Sequence, residues 1–210
     1  NGYIIPTKLE AEKYEIRGVD VSEYQGEIDW KTLSSQDIDF AFIKATEGSS
    51  YKDPYFTKNY EQLNKTNLLV GAYHFFSFDS SGEVQAKNYI ETIGIVEEDK
   101  IILPIVDFEF YGDKEKNLPN KEDAQKELQE LLNKMEEEYK IKPLIYATKK
   151  AYDIYIKDNF TDYDIWIRNI LTEPSLEENR KWTFWQYTGR ARLKGYNGKE
   201  KFIDLNVFNG

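Results

Sequence analysis

Cysteine is absent from this sequence, which excludes disulfide frameworks, thiolate nucleophiles and cysteine-based zinc sites but leaves the compartment open. Histidine occurs once, at His74, and nothing in the chain has zinc-ligand spacing; no metal or cofactor is expected. No apolar stretch approaches the length of a membrane span, and residues 1–15 lack the apolar core of a secretory signal. Basic residues are in deficit, 28 Lys and Arg against 38 Asp and Glu for a net charge of −10. No Lys/Arg-rich stretch with interleaved aromatics offsets that charge, which argues against nucleic acid as a partner. Internal repeats and low-complexity segments are also missing.

What is present suits one domain with a substantial core: 40% of residues are hydrophobic and 15% aromatic. Residues 1–15 are mixed and polar and read as a tail or linker, and residues 16–210 as the domain. Eight short apolar runs have strand character: Ile16–Val21, Phe40–Ala45, Leu69–Phe76, Ile101–Phe108, Leu144–Ala147, Ile165–Ile167, Phe184–Tyr187 and Phe202–Leu205. Helical periodicity is clearest over Glu122–Tyr139, where Ala124, Leu128, Leu131, Leu132, Met135 and Tyr139 share a face. Weaker helical patterns cover Thr57–Thr66 and Gly82–Thr92, and Asp29 reads as the N-cap of a helix starting at Trp30. Strands alternating with helices imply parallel pairing, although the last three runs are too closely spaced for full helices between them. Polar residues fall at the ends of the runs, the arrangement expected of a β/α barrel with its chemistry on one rim.

The strongest chemical signal is Asp107-Phe108-Glu109, at the end of an apolar run. In a strand, side chains two apart share a face, so both carboxyls point into one small space. Like charges that close resist ionising together, and one acid should hold its proton near neutral pH. A salt-bridged or solvated strand end would look the same on the acids alone.

Taken in order, Asp20-Val21-Ser22-Glu23-Tyr24-Gln25-Gly26 with Ile28-Asp29-Trp30, then Lys44-Ala45-Thr46-Glu47-Gly48 and Gly71-Ala72-Tyr73-His74-Phe75, resemble the N-terminal half of glycoside hydrolase family 25, the Chalaropsis-type lysozymes. Leu103-Pro104-Ile105-Val106-Asp107-Phe108-Glu109, Tyr146, Trp185-Gln186-Tyr187 and Asp204-Leu205-Asn206-Val207-Phe208 continue the series to about residue 210. The resemblance implies an α/β fold, a flattened, irregular TIM-like barrel of eight strands with fewer helices, about (β/α)5(β)3. It also implies hydrolysis of the β-1,4 bond between N-acetylmuramic acid and N-acetylglucosamine. The family's proton donor falls on Glu109 and its other acids on Asp20, Asp107 and Asp204. The partner implied is bacterial peptidoglycan, and the place of action outside the cell or in the wall. The chain opens at Asn1 rather than Met, so a leader is expected upstream. The sequence departs from the family where Arg168, Asn169 and Ile170 follow Trp166-Ile167; members commonly carry a small residue and then an aromatic there, so the family's sugar contacts on that side are not carried over.

Glycoside hydrolysis needs one acid to protonate the leaving oxygen and a second group to attack or stabilise the oxocarbenium-like centre. Whether Asp20 is that nucleophile, or the substrate's acetamido group attacks while Asp107 or Asp204 polarises it, is left open by the residues. Tyr73, Phe75, Tyr146, Trp185 and Gln186 are candidates for lining the sugar groove, with core packing as the competing role for the aromatics. His74 is expected to help hold the acid array. Lys44 and Glu47 either support the carboxylates or point out of the barrel wall. A barrel chitinase would typically carry a further acid two residues before Asp107, where Ile105 stands. The remaining rivals are a metal-dependent hydrolase and a glycan-binding module without catalysis; a pure binder has no need of the four acids.

Overall fold

The computed structural model describes residues 6–94, 102–177 and 180–210. Nine strands form one sheet: β1 (Arg17–Val21), β2 (Phe40–Glu47), β3 (Tyr51–Lys52), β4 (Leu69–Phe75), β5 (Ile102–Phe108), β6 (Leu144–Thr148), β7 (Ile165–Arg168), β8 (Phe184–Ala191) and β9 (Ile203–Phe208). They follow the order β1-β9-β8-β7-β6-β5-β4-β2-β3, and a further β1–β2 pairing shuts the ring. All eight expected strands are in the barrel. The short β3 escaped the sequence reading; it folds back antiparallel on the end of β2. Ile101, which opened the fourth expected run, lies outside the described residues.

Helices α2 (Trp30–Ser34), α3 (Phe56–Leu63), α4 (Gly82–Ile93), α5 (Lys121–Tyr139) and α6 (Lys149–Ala151, continued by a π-helical turn over Tyr152–Ile156) follow β1, β2, β4, β5 and β6. The final three strands have no such helix among the described residues, in keeping with the (β/α)5(β)3 pattern. The loop between β7 and β8 is still long enough for them to pair in parallel, while β9 runs antiparallel to both β8 and β1. Within the expected tail, Pro6–Ala11 form a helix, α1. Ala11 is buried in the core, and the Tyr14 hydroxyl donates to Glu173 at 2.7 Å; residues 1–5 lie outside the described set.

Local chemistry sets these boundaries. Asn120 caps α5 by accepting the Asp123 N–H, and Lys140 ends it in the left-handed region at φ 57°. Asp29 caps α2 as expected, its carboxylate accepting from the Thr32 N–H at 3.1 Å. Ser81 starts α4, and Gly94 ends it at φ 69°. The α5 stripe of Ala124, Leu128, Leu131, Leu132 and Met135 is buried.

Strand alternation divides the core in two. Inward-facing Phe40, Phe42, Tyr73, Ile105, Leu144, Tyr146 and Trp166 fill the barrel, and neighbouring rings such as Phe42 and Trp166 lie 4.8 Å apart. Outward-facing Val19, Ile43, Ala72, Val106 and Ile145 join the larger core beneath the helices. The aromatic filling plugs the lower barrel, so polar residues reach the interior only at the upper rim. The α4–α5 packing depends on Gly82, because a Cβ there would stand 2.1 Å from the Glu127 carbonyl oxygen and 2.8 Å from the Leu131 nitrogen. Both are backbone atoms of a long helix and cannot step aside individually. Gly82→Ala is expected to destabilise the fold by about 1–3 kcal/mol through overpacking, measured as a lower urea midpoint at unchanged slope.

Candidate active site

Asp20 lies near the carboxyl end of β1, and directly across the antiparallel pairing its partner is Asp204 of β9. Because β9 runs antiparallel, its amino end and the carboxyl ends of the other strands share one rim. Cross-strand side chains on one face stand about 5 Å apart, and like charges so placed oppose each other. Asp107 near the end of β5 faces the same space, and Glu109 follows just beyond the strand. Burial raises all four carboxyls. Asp20 rises to about 6, held back by the amide groups that donate to it. Asp204 reaches about 8 through burial and then the charge of Asp20. Asp107 is pushed well up by burial and then by Glu109, and its Oδ1 has no hydrogen-bond partner. Glu109 is raised by burial, with Arg168 pulling the other way and Asp20 reinforcing the rise.

Asp20 therefore differs from the other three in its hydrogen bonds. The Gln186 amide donates to both of its oxygens, at 3.1 and 3.0 Å, and the Asn206 amide donates to Oδ2 at 2.7 Å. Those amides are fixed in turn. Tyr146 donates its hydroxyl to Gln186 Oε1 at 3.0 Å, and the Trp166 indole donates to Asn206 Oδ1 at 2.8 Å. The two rings meet edge to face at 4.5 Å. Donors saturating a carboxylate favour its charged form, so at neutral pH Asp20 carries the negative charge in a cluster whose other members are biased toward protonation.

Asp20, Asp204 and Tyr73 face a cleft of about 600 Å³ whose walls include Tyr24, Arg190 and Phe202. One wall, the turn after β1, is tied down by Asp53, which accepts the Glu23 and Tyr55 N–H groups at 2.7 and 2.9 Å. Across the rim, Phe75 lines a smaller depression of about 240 Å³ with Tyr51 and Tyr111. Lys44 is paired to Glu47 at 2.6 Å and lies 4.9 Å from the centre of the Phe75 ring. Its charge lowers Asp107 and Glu109 from a distance while its ammonium contacts Glu47, whose own charge acts on Asp107 in the opposite sense.

Two expectations fail, both for the same reason. Trp185 is adjacent to inward-facing Gln186 and so must face outward: it is buried in the outer core, donating its indole N–H to the Asn169 carbonyl at 2.7 Å. It lines no groove. His74, between Tyr73 and Phe75, also points outward. There Thr46 Oγ1 lies 2.7 Å from its Nδ1, and Gln85 Oε1 lies 3.1 Å from its Nε2. Burial drops it to about 4, so it is a neutral clamp between β2, β4 and α4 and touches none of the acids. Asn206, Trp166 and Arg168 were missed as members of the site. Each lies two residues from another inward-facing position, and that period was the signal available.

The sequence profile of Glycosyl hydrolases family 25 matches residues 19–196. This chain belongs to that family. A family 25 glycosyl hydrolase from Bacillus anthracis superposes with a TM-score of 0.88 at 55% identity, over 95% of this chain and 91% of that one. A bacterial lysozyme from Streptomyces coelicolor has a TM-score of 0.82 at 29% identity, over 93% and 92%. Lysozyme M1 of Streptomyces globisporus is 30% identical over 93% of this chain and 68% of that protein.

A family 25 hydrolase with such an acid array should be least stable where the array is charged. Asp204 has a folded value near 8 against 3.8 ordinarily, so the folded state holds a proton that the unfolded chain releases. That contribution is fully present below about pH 4 and is lost as pH rises through 8. Asp204→Asn is expected to raise the thermal midpoint at pH 8.5 by roughly 4 °C or more, with the gap closing toward pH 4 in paired melts.

Proposed function

We propose that this family 25 glycosyl hydrolase is a lysozyme that cleaves the β-1,4 bond between N-acetylmuramic acid and N-acetylglucosamine, acting on peptidoglycan strands outside the cell or in the wall. The observation that carries the reading is the division of labour within one buried acid cluster. Asp20 is clamped by three amide hydrogen bonds, and Glu109 beside it is raised by burial and free of any such clamp among the described residues. A glycosidase needs that pair: a protonated carboxyl for the leaving oxygen and a fixed negative charge for the oxocarbenium-like centre.

In this reading Glu109 donates its proton to the glycosidic oxygen as the bond breaks. Asp20, with both oxygens already accepting amide N–H groups, stabilises the positive charge that develops at the anomeric carbon. Burial and then the negative charge of Asp20 keep Glu109 protonated, since a charge of that sign nearby makes its ionisation costlier. Tyr73 lies amid the acids, and Phe75 offers an aromatic face beside the groove. The lysozymes among the relatives support the substrate class, and a net charge of −10 means that local contacts rather than long-range attraction must hold an acidic polymer.

Turbidity clearing of purified peptidoglycan, with mass spectrometry of borohydride-reduced products, tests this. The wild-type protein is expected to release fragments ending in reduced muramic acid; ends of reduced glucosamine, or peptide release alone, would refute it. Glu109→Gln should fold, bind the glycan and lose at least ~100-fold in rate. Asn206→Ala removes a donor from the charged form of Asp20 and so raises its pKa. The acidic limb of the kcat/KM profile should move to higher pH by roughly half a unit to one unit, while the same limb of a Trp185→Phe control stays in place.

A further inference from the structure

Arg168 is the last residue of β7, in register with Thr148 on one side and Gln186 on the other. Two positions earlier Trp166 faces into the barrel, so Arg168 does as well, one layer higher at the rim. It is half-buried. Its charge reaches Glu109, Asp20 and Asp204 and lowers each. Yet that influence acts through space alone: among the described residues its guanidinium makes neither a contact ion pair nor a hydrogen bond. Lys44, whose charge also lowers Glu109 and Asp107, is already closed on Glu47 at 2.6 Å. An arginine whose task was to hold one carboxylate ionised would close its planar fork on that carboxylate. This one stands off, half-buried on the inward face at the rim, with its N–H donors engaged by no acceptor among the described residues.

We propose that Arg168 is a specificity-determining residue that receives a carboxylate carried on the lactyl arm of the muramic acid unit. The inference rests on the lysozyme reading above. In glycan without peptide that group is the lactyl carboxylate itself; where a peptide is attached the lactyl carboxyl is an amide, and the peptide's own carboxylates take its place. The bias of Asp107, Asp204 and Glu109 toward protonation reduces the repulsion such an anion meets at the rim.

The test compares wild type, Arg168→Gln and Arg168→Lys on peptide-bearing glycan, on peptide-stripped glycan, and on both after conversion of carboxyls to neutral amides. Arg168→Gln is expected to lose about 10- to 100-fold in kcat/KM on carboxylate-bearing glycan, the range of a charge-assisted hydrogen bond. Wild type should lose a similar factor on amidated glycan, Arg168→Gln should lose nothing further there, and Arg168→Lys should recover part of the rate. A loss seen on stripped glycan assigns the lactyl carboxylate, and a loss confined to peptide-bearing glycan assigns the peptide. Equal loss on native and amidated glycan, or no loss on either, overturns the proposal while leaving the lysozyme reading intact. Failure of the wild type to cut any of these substrates would instead remove the reading itself.

Discussion

The charge on Asp20 is the constraint around which the upper barrel is organised. A carboxylate taken out of water needs donors, and leaving one unsatisfied costs several kcal/mol. Here the donors come from β8 and β9 through Gln186 and Asn206, and these are held by Tyr146 of β6 and Trp166 of β7. Half of the barrel's circumference is thereby committed to one side chain. Below it the interior is filled mainly by aromatic side chains, so the donors that satisfy the carboxylate come from the strands beside it.

The same enclosure separates the acids. Burial alone would raise all four together, and the amide clamp keeps Asp20 nearest the usual carboxylate range at about 6 while Asp204 reaches about 8. The antiparallel pairing of β1 with β9 places these two side by side, where a wholly parallel barrel would have offered a neighbouring strand end at a different height. The fold accepts an unfavourable like-charge pair to obtain carboxyls of different protonation in one cleft. Lys44 and Arg168 temper the cluster without neutralising it, because neither closes on any of the four clustered carboxyls.

Period-two alternation explains both what the sequence disclosed and what it concealed. All eight barrel strands, the α5 stripe and the shared face of Asp107 and Glu109 follow from simple periodicity. The errors arose where neighbours in sequence were assigned one face: Trp185 beside Gln186, and His74 between Tyr73 and Phe75. Adjacent strand residues cannot share a face without a bulge, and the register irregularity in β8 begins only after Gln186. Asn206 and Trp166 were illegible for another reason. An amide and an indole carry no charge, and although both stand in family-like segments their importance comes from meeting across strands far apart in sequence. The two-residue β3 lacks any periodicity to read, and α1 is too short for its packing on β8 to show in composition.

The hydrogen bond from Asn206 to Asp20 spans 186 residues. Contacts of such separation form late, because the intervening chain must be ordered before they can repay the entropy of closing the loop. Asp20 is made 186 residues before Asn206 and waits for the last strand of the barrel before its carboxylate is clamped. A partly folded chain thus lacks the finished acid array, and the four carboxyls come together as one site only when the ring closes.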